Sequence, residues 1–181
     1  MARRLTLQEI ARHRTVVLEG GDGVGKSTLA DLLVTQHEFT AAHSPRTPDH
    51  QDLTSRYRDL LARPGRLVLD RSFVSELVYG PLYRDRSRLT WDQALELADL
   101  VTIRDGIFLH LTAPVAVVHS RLEARDGQAP HLEAIAELSH AYQRVFRLLD
   151  SHASVLTHET APEAGSRPTG WLLSGSCLSG A

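Results

Sequence analysis

The sequence predicts an α/β domain with a five-stranded, mainly parallel sheet flanked by helices. Short apolar runs alternate with stretches of helical periodicity along most of the chain, and strands that alternate with helices form parallel sheets. The first apolar run also enters a glycine cluster from which a helical pattern follows. A buried strand, a tight turn and a helix are therefore expected in that order.

Five segments have the composition of strands. The first reads Thr-Val-Val-Leu-Glu and is apolar enough to be buried on both faces of a sheet. Ser44-Pro45 closes the second segment, and Asp70 ends the third. The predicted strands are residues 15–19, 39–43, 66–70, 107–111 and 154–157.

Apolar residues at helical spacing predict the helices between these strands. The clearest helix start is at Thr90, because Thr90 and Gln93 have the spacing of a capping box. Proline suits the first turn of a helix, so one helix is expected after Pro48 and another at Pro114. The helices are predicted from Lys26, from Pro48 to about Ala62, from Thr90 to about Asp105, from Pro114, and after the polar loop 126–130.

Length and composition fit one globular domain. The chain has 181 residues, of which 42% are hydrophobic and 23% charged. Residues 1–14 are predicted to be an N-terminal extension, residues 15–164 the domain, and residues 165–181 a loosely held tail rich in glycine and serine. The single cysteine, Cys177, excludes an internal disulfide and fits a reducing compartment. With no secretion signal and no membrane-spanning apolar run, a cytoplasmic protein without a membrane partner is expected.

The charged residues limit the kind of partner. Twenty basic and 22 acidic residues give a net charge of −2, which argues against duplex nucleic acid. Whether the chain forms a homodimer stays open. The chain has no asparagine, and Lys26 is its only lysine. Two explanations of the single lysine stay open. One is coding bias, and the other is a site that needs a compact ammonium, which the planar guanidinium of arginine cannot replace.

The glycine cluster carries a phosphate-binding pattern. Residues 20–27 fit G-x-x-x-x-G-K-[ST], with a strand before and a helix after. Backbone N–H groups of such a loop converge on an anion, and the helix N-terminus adds partial positive charge. Lys26 would reach the β- and γ-phosphates of ATP, and the Ser27 hydroxyl would ligate Mg²⁺. The predicted ATP-binding residues are Gly20, Gly21, Asp22, Gly23, Val24, Gly25, Lys26, Ser27 and Thr28.

Two features narrow the class of nucleotide-binding protein. GTPases usually read guanine with an Asn-Lys-x-Asp element, which a chain without asparagine cannot supply. Motor ATPases usually carry a second acidic residue after the aspartate that ends a core strand, whereas Asp70 is followed by Arg71. An arginine at this point indicates a second phosphate, as phosphoryl transfer to an acceptor requires.

The loop Glu19 to Thr28 resembles the corresponding loop of thymidylate kinases, which have an acidic residue at the place of Asp22. Asp70-Arg71-Ser72 resembles that family's Asp-Arg motif, and Ser44-Pro45-Arg46 is similar to its Phe-Pro-x-Arg segment without the phenylalanine. Leu111 to Pro114, followed by Arg121 and Arg125, resembles its fourth strand and the start of its lid. The likeness spans residues 15 to 162 and implies a P-loop kinase with a short lid.

This resemblance implies roles for individual residues. Arg46 and Arg71 would hold the monophosphate of the acceptor, and Asp22 would accept a hydrogen bond from its sugar. Asp70 would bind Mg²⁺ through water, or cap a following helix together with Ser72. Arg121 and Arg125 would close on the transferring phosphoryl group, so the expected catalytic residues are Lys26, Arg71, Arg121 and Arg125.

Each of these residues also has a structural explanation that involves no ligand. Arg71 could form a strand-end salt bridge, Arg46 could be a loop arginine, and Asp22 could form a turn. Arg121 and Arg125 could belong to a solvated helix face.

Among the aromatic residues, Tyr79 could stack on a nucleobase. Four aromatic side chains are expected to be structural, namely Trp91 and Tyr142 in the core and His110 and His119 as partly buried residues.

The implied function is transfer of the γ-phosphoryl of Mg-ATP to a (deoxy)nucleoside monophosphate such as dTMP. One alternative is a kinase acting on a hydroxyl of a nucleoside or small metabolite, with Asp70 as general base. The other is a non-enzymatic ATP-binding sensor, which has no need of a second phosphate pocket.

Overall fold

The computed structural model describes residues 5–43 and 51–160. Its strands are β1 Thr15–Glu19, β2 Thr40–His43, β3 Leu67–Asp70, β4 Gly106–Thr112 and β5 Val155–Glu159. They form one sheet in the order β2-β3-β1-β4-β5, and every neighbouring pair is parallel. The predicted five-stranded, mainly parallel sheet is confirmed, and no strand end differs from the prediction by more than two residues.

Helices fill the connections between the strands. They are α1 Leu7–Ile10, α2 Lys26–His37, α3 Leu53–Leu61, α4 Phe73–Arg84, α5 Trp91–Ile103, α6 Val115–Asp126 and α7 Leu132–Leu149. The predicted capping box of α5 is present, because Gln93 N–H donates to Thr90 Oγ1 and Thr90 N–H donates to Gln93 Oε1. Within residues 5–43 and 51–160, no helix is both long and apolar enough to cross a membrane.

Helix α3 begins later than the sequence predicts. Its first residue is Leu53, and the Asp52 side chain accepts a hydrogen bond of 2.9 Å from Thr54 N–H. Aspartate at this position satisfies one of the N–H groups that a helix start leaves unpaired. The earlier start predicted after Pro48 is therefore wrong at residues 51 and 52, while residues 44–50 lie outside the described residues.

Helix α4 confirms that a helix follows Ser72, whose Oγ accepts a hydrogen bond of 3.2 Å from Val74 N–H. The rest of α4 is difficult to recognise in the sequence, because it contains Gly80 and Pro81. The structure explains this glycine. The backbone of residues 86 and 87 packs so closely against the helix that a Cβ at Gly80 would lie 2.8 Å from the carbonyl oxygen of Arg86.

Both faces of the sheet are covered by apolar side chains, which is why all five residues of β1 are buried. On one face Val17 packs with Phe73 of α4 and Phe108 of β4. On the other, Val16 and Leu18 pack against α2 and α6. Trp91, which was expected in the core, is 38% exposed at the first turn of α5.

Part of the N-terminal segment joins this core. Leu7 and Ile10 of α1 are buried in the same cluster as Val16 and Leu18. Where the domain begins and ends stays a prediction, because residues 161–181, which include the predicted tail, lie outside the described residues. The carboxyl ends of β1, β2, β3 and β4 lie along one edge of the sheet, where ligands of open parallel sheets bind.

Candidate active site

The turn between β1 and α2 has the backbone shape of a phosphate-binding loop. Gly20, Gly23 and Gly25 have φ angles of 143°, 79° and 94°, a region that residues with side chains rarely adopt. The turn leads directly into α2, whose first residue is Lys26. The positive end of the α2 dipole therefore lies at this turn, as the sequence pattern predicts.

Replacing Gly20 by alanine is expected to damage this turn severely. A Cβ at Gly20 would lie 2.3 Å from the carbonyl oxygen of Leu111 in β4, and the φ of 143° adds strain. We expect the free energy of unfolding to fall by about 3 kcal/mol, together with loss of ATP binding. Chemical denaturation and calorimetric titration with Mg-ATP measure the two effects.

The matched control is Gly127→Ala. Gly127 also has a positive φ, 74°, but nothing lies within 4 Å of a Cβ placed there. That substitution costs only the strain of the backbone, about 1 kcal/mol, and leaves ATP binding intact. Equal losses in both variants would contradict the account of Gly20.

Lys26 is held inside the turn and is 6% exposed. Its Nζ donates hydrogen bonds of 2.9 and 2.6 Å to the carbonyl oxygens of Gly20 and Gly21. Burial, followed by the positive charge of Arg71, lowers the pKa of Lys26 to about 8, while Asp22 acts in the opposite direction. Further negative charge beside this ammonium would stabilise its protonated form, so the position favours an anion.

The first turn of α2 is joined to the end of β3 by a hydrogen bond. Ser27 Oγ donates to Asp70 Oδ2 over 2.9 Å, and Asp70 is only 7% exposed. A hydroxyl and a carboxylate oxygen side by side are the hard ligands that Mg²⁺ prefers. The residues present therefore fit the metal role predicted for Ser27 and Asp70. Ser72 caps α4, so Asp70 is not required for capping.

His43, which the sequence analysis did not single out, contacts the same carboxylate. It ends β2, and its Nδ1 lies 3.2 Å from Asp70 Oδ2. The two residues are direct partners in the β2–β3 register. That pairing could be read from the sequence only once the strand order is known, because β2 and β3 are separated by α3.

Arg71 adopts a left-handed backbone conformation with a φ of 71°. Such strain persists where the surroundings determine it, commonly at functional sites. Its guanidinium forms an ion pair with Asp22 of the loop and donates to Tyr79 Oη over 3.3 Å. The Arg71 Cζ also lies 5.4 Å from the centre of the Tyr79 ring. The structure thus brings together Asp22 and Arg71, which the resemblance assigns to the acceptor, and Tyr79, which was suggested as a partner for a nucleobase.

A buried carboxylate lies beneath this group. Glu19 is fully buried and accepts hydrogen bonds from the N–H and hydroxyl of Ser72 and Ser75, at 2.6 to 3.2 Å. Tyr142 Oη donates to it over 3.3 Å. Burial raises the pKa of Glu19, and the serine hydrogen bonds counteract part of that shift. Glu19 therefore ties the turn containing Arg71 to β1 and α7, a role that the sequence analysis missed.

A cavity of about 240 Å³ opens beside the loop, between α4, α6 and α7. Asp22, Tyr79 and Arg125 contribute polar groups to it. Tyr142, which was expected only as a core residue, is fully buried and also lines this cavity. Most of the remaining wall is apolar and includes Val24, Val115, Val118, Leu122, Ile135 and Leu138. An apolar cavity with a few polar groups is typical of a site for a small organic molecule.

The predicted lid arginines occupy different positions. Arg121 Nη1 donates to the carbonyl oxygen of Gly23 over 3.1 Å and to Thr160 Oγ1 over 3.0 Å, so it lies directly against the loop. Arg125 pairs with Asp126, is mostly exposed and lines the cavity. Arg46 lies outside the described residues. The structure therefore brings Arg71 and Arg121 to the loop and Arg125 to the neighbouring cavity.

Comparison with known proteins gives a clear result for the fold. No family model matches the chain, and no curated protein matches it in sequence. Among solved structures, YorR protein from Bacillus subtilis, determined in complex with phosphorylated GDP, is similar with a TM-score of 0.68 at 23% identity, over 80% of this chain and 84% of that chain.

Two further structures extend the comparison. Deoxyadenosine kinase from M. mycoides with bound dCTP has a TM-score of 0.53 at 12% identity, over 80% of this chain and 89% of that chain. Thymidylate kinase from Candida albicans has a TM-score of 0.52 at 15% identity, over 81% of this chain and 84% of that chain. With the parallel sheet and the loop at the end of β1, these likenesses show that the chain has a thymidylate kinase-like P-loop kinase fold.

Proposed function

We propose that the chain transfers the γ-phosphoryl of Mg-ATP to a (deoxy)nucleoside monophosphate, as thymidylate kinases do. The observation that carries this proposal is the ion pair of Arg71 with Asp22, a residue that lines the apolar cavity, close to the buried ammonium of Lys26. One cation sits inside the phosphate-binding loop and another faces the loop from the end of β3. Two phosphorylated ligands can thereby meet between them.

Each residue of the site has its own role in the proposed phosphoryl transfer. Lys26 and the α2 dipole would neutralise the β- and γ-phosphates of ATP. Ser27 and Asp70 would hold Mg²⁺, which when bound supplies positive charge at the transferring phosphoryl group. Arg71 would hold the acceptor phosphate in line, with Arg46 as a predicted second contact. Arg121, next to Gly23, would stabilise the charge that develops during transfer.

Such a mechanism needs no strong general base, because the acceptor phosphate oxygen is already an anionic nucleophile. Its rate would come from alignment and charge neutralisation. Tyr79, held beside Arg71, would contact the acceptor base or sugar in the cavity, which it lines. A cytoplasmic location stays a prediction, and whether the chain forms a homodimer stays open.

A second candidate is a kinase that phosphorylates a hydroxyl of a nucleoside. The observation that favours it is the arrangement at Asp70, where a buried carboxylate contacts His43 and Ser27. A carboxylate near the accepting oxygen could remove its proton as general base. A non-enzymatic ATP-binding sensor would have no need of a second cation, Arg71, opposite the loop.

Radiolabelled ATP separates these candidates. The full chain is incubated with Mg²⁺, γ-labelled ATP and, in separate reactions, each of the four common deoxynucleosides and their 5′-monophosphates. The proposal expects label to appear in a deoxynucleoside diphosphate. Label only in a monophosphate would establish the hydroxyl kinase instead, and no transfer with tight ATP binding would favour the sensor. A Lys26→Met variant controls for a contaminating kinase.

A further inference from the structure

His110 of β4 is a buried polar side chain that the proposed mechanism does not use. It is 3% exposed, and it lines both the 240 Å³ cavity and an open groove between β4, β5 and α7. Its ring stacks on those of Tyr142 and Phe146, and no residue within 5–43 or 51–160 hydrogen-bonds to either ring nitrogen. Buried polar groups in folded proteins usually have partners, so an unpaired one at a cavity indicates a ligand or water.

Stacking fixes the position of this imidazole. Its ring lies 4.6 Å from that of Phe146 with an interplanar angle of 18°, and 6.0 Å from that of Tyr142 at 25°. Both neighbours belong to α7, and Tyr142 is itself held by Glu19 and Ser75. The imidazole is therefore held in place before any ligand arrives, as a recognition group should be.

The charge state of His110 determines which ligand group suits it. Burial lowers the pKa of His110 to about 4, so the ring is neutral at physiological pH. A neutral imidazole offers one donor and one acceptor and no charge. Arg71 and Lys26 do not line the cavity but lie beside Asp22, which does. The phosphate of an acceptor thus belongs near those cations, and an uncharged polar ring belongs near His110.

We propose that His110 is a specificity-determining residue that hydrogen-bonds to the nucleobase of the acceptor inside this cavity. The inference rests on the proposed function, because it takes the cavity as the acceptor site. Apolar side chains such as Val118 and Leu138 contact the faces and rim of the base, and His110 supplies the hydrogen bond that distinguishes one base from another. A hydrogen-bonding group in an apolar site discriminates well, because the wrong base leaves it unpaired.

The main test replaces His110 by phenylalanine. Phenylalanine keeps a flat ring for stacking on Tyr142 and Phe146 but removes both ring nitrogens. We expect the ratio of kcat/KM between the best and the second-best deoxynucleoside monophosphate to fall about tenfold or more. ATP affinity stays within twofold of the wild type. His110→Gln restores a donor and an acceptor and is expected to recover part of the discrimination.

The matched control is His158→Phe. His158 is equally buried, on the neighbouring strand β5, and it does not line the cavity. That variant is expected to keep the wild-type ranking of bases whatever its effect on stability. A parallel change of ranking in the His110 and His158 variants would overturn the proposal, because it would point to a general loss of packing.

A spectroscopic readout covers the case in which His110→Phe does not fold. In ¹⁵N-histidine-labelled wild-type protein, the ring nitrogen signals of His110, identified by their loss in His110→Gln, should shift on addition of the preferred monophosphate and not on addition of Mg-ATP alone. If the monophosphate is turned over but leaves these signals unchanged, or if the ranking survives in His110→Phe, His110 serves only packing or contacts water in the open groove that it also lines. If no acceptor is turned over at all, the proposed function fails first, and the two failures are therefore distinguishable.

Discussion

Lys26→Met is expected to lower the rate of phosphoryl transfer at least about a thousandfold. The variant keeps the length of the side chain and removes the only ammonium inside the loop. The γ-phosphoryl then loses its nearest compensating cation, in a site where burial strengthens every charge interaction. Initial rates under saturating ATP and acceptor measure this effect.

Lys26→Arg is the sharper companion variant. The chain uses arginine for its other 19 basic residues, so full activity of this variant would mean that the single lysine is an accident of composition. We expect the loss to persist, because a planar guanidinium does not fit where Nζ now contacts Gly20 and Gly21.

The pH dependence of ATP binding tests the same ammonium. With its pKa lowered to about 8, Lys26 loses its proton as pH rises through that value. If only the protonated form binds ATP tightly, Kd for Mg-ATP rises about tenfold between pH 7 and pH 9. The Kd of Lys26→Met should stay nearly constant over that interval. A wild-type Kd that is equally flat would contradict the role of the ammonium.

Arg71→Ala is expected to reduce kcat/KM for the acceptor about a thousandfold while Kd for Mg-ATP changes less than threefold. This difference follows from position, since Arg71 comes directly after β3 and pairs with Asp22 of the loop rather than lying within the loop. Steady-state kinetics and calorimetric titration give the two quantities separately.

Two further variants complete the test of Arg71. Arg71→Lys keeps the charge without the planar fork and should be intermediate. Arg58→Ala removes an exposed arginine that pairs with Glu96 on the α3–α5 surface and should leave both constants unchanged. If Arg71→Ala weakens ATP binding as strongly as acceptor turnover, Arg71 belongs to the ATP side of the site.

The sequence predicts most of this fold because its signals are local. The apolar run of residues 15–19, the glycine turn and the capping box at Thr90 each depend on a few neighbouring residues. Helix α4 was recognisable only through its Ser72 cap, because Gly80 and Pro81 interrupt the helical pattern. The chain needs Gly80 for a close contact with Arg86, and no local pattern in the sequence indicates that contact.

The residues of the candidate site also differ in whether patterns of neighbouring residues reveal them. Residues of the loop and the Asp70-Arg71 pair follow from patterns of adjacent residues. His43, Glu19 and Tyr142 do not, because their contacts join strands and helices far apart in the chain. His110 was expected to be a structural residue, and only its place in the cavity wall distinguishes it from an ordinary core histidine.

The central claim is that two anionic ligands meet between the loop and Arg71. A bisubstrate ligand tests it most directly, namely adenosine joined through five phosphates to the deoxynucleoside whose monophosphate is turned over fastest. We predict that wild-type protein with Mg²⁺ binds this ligand at least about a hundredfold more tightly than ATP, because both halves are held at once. In Arg71→Ala that advantage should nearly disappear. Equal affinity of the wild type for the bisubstrate ligand and for ATP would contradict the claim.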